Sequence, residues 1–403
     1  MTQIRRIQDA DVSGKRVLVR VDFNVPMKDG VVTDDTRLQS ALPTIDYLRE
    51  AGAKIVLLSH FGRPKGKRVA EMSLEPVCQP LADLIGDAVD FCTETVGAEA
   101  RDAVAGLEPG GVLLLENTRF DAGEEGNDAA FAQALAELGD LYVDDAFSAA
   151  HRAHASTEGI THLLPSYAGL AMQREIDHLV AALEAPTRPV IAIVGGAKVS
   201  SKIDLLQNLV KKVDILFVGG GMANTLLSAQ GIKVGASLCE TDLADTARMI
   251  LAAAEQAGCK VMLPSDVVLA REFKPHPETR LTGVQDVGAS EMILDCGPGT
   301  VAALNQAIDT CKTLIWNGPL GAFETPPFDE ATMSVAAHVA RAVREGGLVA
   351  VGGGGDTVAA LNQAGVADDF SFVSTAGGAF LEWMEGKQLP GVAALMTDDR
   401  LPA

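Results

Sequence analysis

Short apolar runs of valine, isoleucine and leucine recur along the sequence, each followed by a stretch with helical periodicity. These runs are RVLVRV (16–21), KIVLLS (54–59), VLLLE (112–116), VIAIV (190–194), DILFV (214–218), KVMLP (260–264), TLIW (313–316) and GLVAV (347–351). The runs are apolar throughout rather than alternating, which predicts strands that are buried on both faces. Strands that alternate with helices predict an α/β fold, with parallel sheets covered by helices on both sides.

The length of the chain predicts that this pattern is divided between two domains. A chain of 403 residues is longer than one hydrophobic core usually holds. The segment EAPTRP places two prolines near residues 184–190, directly after the helical stretch AMQREIDHLVAAL. We therefore expect one α/β domain before this point, a second after it, and a terminal extension from about residue 386.

Composition and charge exclude several classes of function. The net charge of −21 argues against nucleic acid, whose phosphates would be repelled, although a small phosphorylated ligand could still bind where cations gather. We expect no membrane span, because no run of about 18 apolar residues occurs. The N-terminus has no continuous hydrophobic segment, so a cytoplasmic protein is expected. Six cysteines without a C-x-x-C pair are expected to be reduced thiols.

A glycine pair and two lysines follow the run VIAIV, in the segment VGGAKVSSKIDLL. A helix starting near residue 198 would place Lys198 and Lys202 on one face, one turn apart, above a helix N-terminus that favours anions. Two solvated helix lysines are the alternative. The segment is not a Walker A loop, because that pattern is nowhere complete.

Two further glycine-rich stretches follow strands in the second half. In VAVGGGGDTVAALNQAG, four glycines precede Asp356 and Thr357, a pattern that favours close approach of the main chain to a ligand, with a carboxylate free for Mg²⁺. Asp356 could equally cap the helix. The stretch STAGGAFLEW is a weaker candidate of common loop composition.

The segment GPGTVA (297–302) matches the dinucleotide-binding pattern G-x-G-x-x-A. The next strand, TLIWN, ends in Asn317 instead of the acidic residue that binds a ribose in such proteins. A nicotinamide-dependent dehydrogenase is therefore a disfavoured alternative.

In the first half, cations and polar residues fall at strand ends and in loops. Arginine suits bidentate contacts to phosphate or carboxylate, so these residues predict an anion site, although each alone could be a surface ion-pair partner. They are Arg37, His60, Arg63, Arg119, His151 and Arg152, with Asp22 and Asn24 just past the first strand.

Taken together, the motifs resemble the phosphoglycerate kinase family over essentially the whole length. The resemblance rests on RVDFNVPMKDGVVTDDTR, SHFGRPKG, LLENTRF, DAFSAAHRAHAS, GGAKVSSKIDLL, LFVGGGMANT, IWNGPLGAFE, GGGGDTVAAL and STAGGAFLEWMEGKQLPGV, in the family's order. It implies two doubly wound, Rossmann-like parallel-sheet domains: residues 1–170, with the tail 387–403 packing back on them, and residues 189–386, joined by a helix and hinge at 171–188.

The resemblance also implies an activity: phosphoryl transfer between 1,3-bisphosphoglycerate and ADP, giving 3-phosphoglycerate and ATP with Mg²⁺, by a monomer whose hinge closes. It implies that the first domain holds phosphoglycerate through Asp22, Asn24, Arg37, His60, Arg63, Arg119 and Arg152. It implies that the second holds the nucleotide through Lys202, Gly219, Gly220, Asn317, Glu324, Gly354, Gly355, Asp356 (also the metal ligand) and Thr357. Arg37, Lys198, Gly377 and Gly378 would act on the transferred group.

Departures from the family pattern occur at four positions, Ser148, Ala149, Ala376 and Phe380. None removes a charged group, so activity is still expected. A hinged binding protein that captures an anion without chemistry is the remaining alternative, and it would not explain a glycine-rich Asp-Thr loop beside two lysines.

Overall fold

The structure, a computed structural model, describes residues 3–396 and divides them into two compact units. Unit 1 comprises residues up to Asp177 together with those from Gln388 onward, and unit 2 comprises His178–Lys387. The last part of the predicted tail, residues 397–403, lies outside the described residues.

Unit 1 is built on a parallel sheet. Its strands are β1 (Arg16–Arg20), β2 (Met27–Lys28), β3 (Val31–Val32), β4 (Lys54–Leu58), β5 (Val89–Cys92), β6 (Val112–Leu115), β7 (Leu141–Asp144) and β8 (Ser166–Ala168). Its helices are α1 (Thr36–Glu50), α2 (Cys78–Ile85), α3 (Ala98–Ala105), α4 (Ala122–Glu125) and α5 (Ala129–Ala136). Helix α6 (Leu170–Leu183) begins in unit 1 and ends in unit 2, because the division falls after Asp177. Within the described chain the sheet has the order β5-β6-β4-β1-β7-β8, and β2 and β3 form a separate hairpin.

Both faces of this sheet are buried, because neighbouring residues of one strand enter different cores. Val17 and Val19 pack in one hydrophobic cluster, whereas Leu18 packs in another. The continuous apolar runs of the sequence thus correspond to strands covered on both sides, as their composition predicted.

Unit 2 repeats the architecture and adds a small antiparallel sheet. Its strands are β9 (Val190–Val194), β10 (Ile215–Val218), β11 (Lys260–Met262), β12 (Asp266–Ala270), β13 (Thr279–Gly283), β14 (Met292–Cys296), β15 (Thr313–Asn317), β16 (Val349–Gly353) and β17 (Phe372–Ser374). Its helices are α7 (Ile203–Leu209), α8 (Gly220–Ala229), α9 (Ala244–Ala257), α10 (Pro298–Asp309), α11 (Glu330–Arg344), α12 (Gly355–Gln363) and α13 (Gly378–Met384). The parallel sheet has the order β11-β10-β9-β15-β16-β17, and β13-β12-β14 form the antiparallel sheet.

The described end of the chain returns to unit 1. Helix α14 (Pro390–Leu395) follows α13, and the amide of Gly391 donates to the carbonyl of Ala150 at 2.9 Å. The guanidinium of Arg5 donates to the carbonyl of Ala394 at 2.8 Å. No helix within residues 3–396 has the length and apolar character needed to cross a bilayer.

The predicted fold class is confirmed: all eight predicted runs are strands, with ends within about two residues of those expected. The sequence interpretation missed β2, β3, β5, β7, β8 and β17, which are short, and the three-stranded antiparallel sheet. The predicted helix starting near residue 198 is wrong in detail. A 3-10 turn covers Val199–Ser201, Lys202 has φ −139° and ψ 23°, and the α-helix begins at Ile203.

Two candidate ligand sites

The carboxyl ends of the unit 1 strands gather most of the polar residues predicted in the first half. Of the predicted residues, Asp22 and Asn24 follow β1, His60 follows β4 and Arg119 follows β6; Arg20 and Asp144, which were not predicted, end β1 and β7. Because parallel strands end at the same edge of their sheet, these residues share one edge, where ligands bind in open α/β sheets.

Asp22 organises one part of this edge. Its Oδ2 accepts from Arg37 Nη1 at 2.6 Å and from the hydroxyl of Ser148, and its Oδ1 accepts from the amide of Asn24 at 3.2 Å. Asn24 Oδ1 accepts in turn from the amide of Gly62 at 2.9 Å. Ser148, one of the departures from the family pattern, is therefore part of the site.

His60 and Arg119 line the edge from inside the protein. His60 is 8% exposed, and its Nδ1 lies 2.9 Å from Nη2 of the fully buried Arg20. Burial, and then the charges of Arg20, Arg119, Arg37 and His154, hold the pKa of His60 well below its ordinary value. Arg119 donates from Nη1 to the carbonyl of Gly62 at 2.8 Å.

Arg63 and Arg152 differ from these residues in being exposed. Arg152 Nε donates to Nε2 of the neighbouring His151 at 3.1 Å. Arg63 makes no hydrogen bond or ion pair with any residue in the described part of the chain. Both guanidinium groups thus keep donors available for an anion.

In unit 2, the glycines that follow the strands bring loop backbones into contact. A Cβ on Gly195 would lie 1.7 Å from the carbonyl oxygen of Pro319, and one on Gly220 would lie 2.7 Å from that of Gly196. A Cβ on Gly219 would lie 2.9 Å from Cα of Leu320. Packing of the main chain therefore accounts for these glycines without any ligand.

The ammonium group of Lys202 connects these loops through hydrogen bonds. It donates to the carbonyl of Gly195 at 2.8 Å, to Asn317 Oδ1 at 2.6 Å and to the carbonyl of Asn317 at 3.2 Å. Asn317 Nδ2 donates to the carbonyl of Gly353 at 2.9 Å, so the ends of β9, β15 and β16 are tied together. Burial lowers the pKa of Lys202 to about 8, and the charge of Asp356 opposes part of this effect.

Lys198 has a different environment, although it lies only four residues earlier. Its carbonyl accepts from the hydroxyl of Ser201 at 2.7 Å, but its side chain is exposed, and the ammonium group makes no hydrogen bond or ion pair with any residue between 3 and 396. Its ammonium group is therefore available to a ligand.

The end of β16 leads directly into α12. Gly354 has φ +94°, a conformation that favours glycine, and a Cβ on Gly355 would meet nothing within 4 Å. Thr357 is buried, and its Oγ1 accepts from the amide of Gly318 at 2.7 Å. The first turn of α12 thus has accessible backbone amides, and the hydrogen bond between Thr357 and Gly318 fixes its position.

Gly377 and Gly378 follow the next strand and begin α13. Gly377 has φ +53°, and a Cβ on it would meet nothing within 4 Å. The neighbouring departures from the family pattern, Ala376 and Phe380, are buried. The ring of Phe380 packs so closely on Gly353 that a Cβ there would lie 2.6 Å from it.

A cavity of about 400 Å³ lies beside these loops in unit 2, a volume within the range of small-molecule sites. Of the residues predicted to bind a nucleotide, Gly220, Glu324 and Asp356 line it; its walls also include the apolar Leu238, Pro264, Phe273, Met292, Pro319 and Leu320. The carboxylate of Glu324 is exposed at this cavity.

The pattern GPGTVA does not form a dinucleotide site. It follows the antiparallel strand β14, and the carboxylate of Asp266 occupies the N-terminus of α10. Asp266 Oδ2 accepts from the amide of Gly299 at 2.9 Å, and Oδ1 accepts from that of Thr300 at 2.6 Å. A pyrophosphate would need these same amides, so the dehydrogenase alternative has no site here.

Asp356 is the residue that could hold a metal ion. It is exposed in the first turn of α12, and its carboxylate makes no hydrogen bond or ion pair within the described chain. No group of three or more His, Cys, Asp or Glu side chains suited to a metal occurs in residues 3–396. A single free carboxylate fits Mg²⁺, which is commonly held by one or two carboxylates together with substrate phosphates and water.

Sequence reasoning missed Arg20, which contacts His60 from within β1. The signal was present: an arginine occurs inside the otherwise apolar run RVLVRV, and a charge in a strand buried on both faces requires buried partners. Glu124, Asp144 and Asp145, also buried at this edge, were missed as well.

A polar, cationic sheet edge in one α/β unit, together with a nucleoside-sized cavity beside a glycine-rich helix start in the other, is typical of kinases that act on small anionic substrates. The family model described as "Phosphoglycerate kinase" matches residues 7–387. The chain therefore belongs to the phosphoglycerate kinase family, and the predicted resemblance is confirmed.

Individual relatives agree with the family model. The phosphoglycerate kinase of Maricaulis maris is 78% identical over 403 residues, covering 100% of both chains. That of Azorhizobium caulinodans is 61% identical over 395 residues, 98% of this chain and 100% of the relative. The solved structure of phosphoglycerate kinase from Coxiella burnetii superposes with a TM-score of 0.91 at 41% identity, covering 97% of this chain and 98% of that one. The solved structure of phosphoglycerate kinase from Pyrococcus horikoshii superposes with a TM-score of 0.80 at 29% identity, covering 97% of this chain and 98% of that one.

Proposed function

We propose that the two units divide the family's reaction, with phosphoglycerate at the polar edge of unit 1 and the nucleotide at the glycine-rich edge of unit 2. The reaction is reversible transfer of a phosphoryl group between 1,3-bisphosphoglycerate and ADP, which gives 3-phosphoglycerate and ATP. The observation that carries the proposal is the contrast between the edges. Unit 1 supplies several side-chain cations, whereas unit 2 supplies open amides, a free carboxylate, the lysine Lys198 and a cavity of about 400 Å³.

In unit 1, phosphoglycerate would be held by charge and by directed hydrogen bonds. Arg63, Arg119 and Arg152 would contact its anionic groups, because guanidinium binds phosphate and carboxylate in a bidentate manner. Asp22 and Asn24 would meet its hydroxyl group, and His60 would donate from its ring. Arg37, which Asp22 orients, would lie nearest the carboxyl group that accepts the phosphoryl group.

In unit 2, the nucleoside would occupy the cavity, with Glu324 at the ribose and the loops of Gly219 and Gly220 against the base. The phosphates would lie over the amides of Gly354, Gly355 and the first turn of α12, beside Thr357. Asp356 would hold Mg²⁺, which neutralises nucleotide phosphates when it is bound.

The two lysines would have different roles. Lys198, whose ammonium group makes no hydrogen bond or ion pair in the described chain, would donate to the phosphoryl group in transfer, together with the amides of Gly377 and Gly378. Lys202 gives all three of its protons to protein acceptors. It would support the base of the site with Asn317, and it could contact a phosphate only by releasing one of these bonds.

The chemistry needs no general base. The acceptor carboxyl group is ionised at neutral pH, so no proton has to be removed from it. Cations and amides that stabilise the moving charge are therefore sufficient. We further expect α6 and the segment up to residue 188 to act as a hinge whose closure excludes water. That the protein is a monomer and is located in the cytoplasm stays a prediction.

A coupled assay tests the proposed activity: ADP should form only when ATP, Mg²⁺ and 3-phosphoglycerate are all present. Calorimetry separates this enzyme from the hinged binding protein, because that alternative would bind a small anion and ignore MgATP. ADP formation without 3-phosphoglycerate, or none with it, would contradict the proposal.

A further inference from the structure

Arg20 is a buried cation whose donors are directed at fixed partners. It is fully buried at the end of β1. Its Nε donates to Ser156 Oγ at 2.9 Å, Nη1 donates to the carbonyl of Val21 at 2.5 Å, and Nη2 lies 2.9 Å from Nδ1 of His60. One side chain thus connects the interior of the sheet to a residue of the proposed phosphoglycerate site.

A buried carboxylate completes this network. Ser156 Oγ donates to Glu124 Oε1 at 2.6 Å, and the Ser156 amide donates to Glu124 Oε2 at 3.0 Å. Glu124 is also fully buried. Because Ser156 donates its only hydroxyl proton to Glu124, its oxygen must accept from Arg20, which fixes the direction of each bond.

The same reasoning fixes the protonation of His60. A guanidinium group has donors and no acceptor, so Nδ1 of His60 must accept the bond from Arg20. Burial and the surrounding charges of Arg20, Arg119, Arg37 and His154 disfavour a protonated ring, so the remaining proton is on Nε2. No residue within 3–396 accepts a hydrogen bond from that nitrogen.

We propose that Arg20 is a positioning residue that holds His60 as the neutral Nε2–H tautomer, so that the ring presents one permanent donor to an anionic oxygen of phosphoglycerate. The inference rests on the proposed placement of phosphoglycerate in unit 1. In the other neutral tautomer, Nε2 would carry a lone pair and would repel the anion. Arg20 therefore makes binding independent of the titration of His60.

Nitrogen NMR of the full-length wild-type protein tests the tautomer directly. With ¹⁵N-labelled histidine, and the His60 signals assigned by their loss in His60→Asn, we expect an Nε2–H ring that does not titrate between about pH 6 and 8. An Nδ1–H tautomer, or an imidazolium at neutral pH, would overturn the proposal.

Kinetics of Arg20→Met test the consequence, with Arg16→Met as a matched control on the same strand. Arg16 is partly exposed and pairs with Asp140, away from the site. We expect KM for 3-phosphoglycerate to rise about tenfold in Arg20→Met with little change in kcat, because binding is lost equally in ground and transition states. The ratio of variant to wild-type KM should fall as the pH is lowered, since protonation of His60 restores a donor at Nε2.

A merely structural role for Arg20 would give a lower melting temperature without this recovery in acid, and that result would overturn the proposal. If Arg20→Met does not fold, the wild-type spectrum still decides the tautomer. Calorimetric titration of wild-type protein with 3-phosphoglycerate distinguishes failure of the proposed function from failure of the tautomer proposal. Absence of binding would contradict the proposed function, whereas the spectrum alone tests the tautomer.

Discussion

Lys198 and Lys202 are identical residues four positions apart, and the fold gives them opposite properties. Lys202 is half-buried, with three protein acceptors, and the cost of burying its charge lowers its pKa to about 8. Lys198 is exposed, and its ammonium group makes no hydrogen bond or ion pair in the described chain. A side chain with no structural contacts can be removed without affecting the fold, so its contribution to activity can be measured separately.

We therefore predict that Lys198→Ala lowers kcat by roughly 10²- to 10³-fold, the usual effect of removing one transition-state donor. The melting temperature should stay within about 1 °C of the wild-type value, since exposed lysines contribute little to stability. Lys211→Ala, at another exposed lysine of unit 2, is the control and should leave both quantities unchanged. An unaltered kcat in Lys198→Ala would make Lys198 an ordinary solvated lysine.

At the scale of elements, the glycines after the unit 2 strands fall into two physical classes. Gly195 has no room for a side chain because of the carbonyl of Pro319, whereas Gly355 faces open space at the start of α12. The first kind of glycine serves the packing of loops, and the second leaves room for a ligand.

Alanine at these two positions should separate stability from binding. Gly195→Ala should destabilise unit 2 by about 3 kcal/mol or more, because the backbone must move to admit a Cβ. Gly355→Ala should change stability by less than about 1 kcal/mol, yet raise KM for MgATP, since the methyl group would occupy space proposed for phosphate. Urea unfolding and steady-state kinetics measure the two effects. Normal nucleotide affinity in Gly355→Ala would argue against phosphate at this position.

The end of β7 provides a prediction about pH. Burial raises the pKa of Asp144 to about 7 from its ordinary 3.8. Between these values the folded protein holds a proton that the unfolded chain has released, so the contribution of Asp144 to stability falls as pH rises through this window and is constant above it.

Asp144→Asn removes this dependence, because the amide keeps an acceptor for the amide of Ala146 and cannot ionise. Relative to wild type, its free energy of unfolding should improve by up to about 4 kcal/mol between pH 4 and pH 7, and no further above that. Urea unfolding at several pH values measures the difference between the two proteins, in which titrating groups that do not interact with Asp144 cancel; Asp145, whose charge raises the pKa of Asp144, is the exception. Asp102→Asn, at an exposed helix position of unit 1, should show no such trend.

Sequence patterns identified these elements better than the contacts within them. Long apolar runs such as VIAIV are predictable because a strand buried on both faces tolerates little else. The short strand β17 and the antiparallel sheet were missed, because a few residues give too little periodicity. The composition of the loop motifs was enough to predict that Asp22, His60 and Asp356 lie at strand ends. No local pattern predicts the contacts of Lys202 with carbonyl groups or of Arg20 with His60. These contacts depend on packing between segments that are far apart in sequence.

For the whole molecule, two units of similar architecture carry different chemical groups at equivalent sheet edges. In a doubly wound fold the edge at the carboxyl ends of the strands is available for binding whatever the loops contain, so one architecture can serve two ligands. If each unit binds its own substrate, removing one site should leave affinity for the other substrate intact.

A pair of variants, one in each unit, tests this division. Arg37→Ala should weaken 3-phosphoglycerate binding and depress kcat while leaving the affinity for MgATP within about twofold of wild type. Asp356→Asn should raise the Mg²⁺ concentration needed for nucleotide binding and leave 3-phosphoglycerate affinity unchanged, because a carboxamide is a poor magnesium ligand. Calorimetry with each ligand separately gives both affinities.

Asp368→Asn, at an exposed acidic residue of unit 2, is the control. Both variants should melt close to wild type, since the ion pair of Arg37 is partly solvated and the carboxylate of Asp356 makes no hydrogen bond or ion pair in the described chain. Loss of both affinities in either variant would mean that the substrates share residues, and the assignment of one substrate to each unit would be wrong.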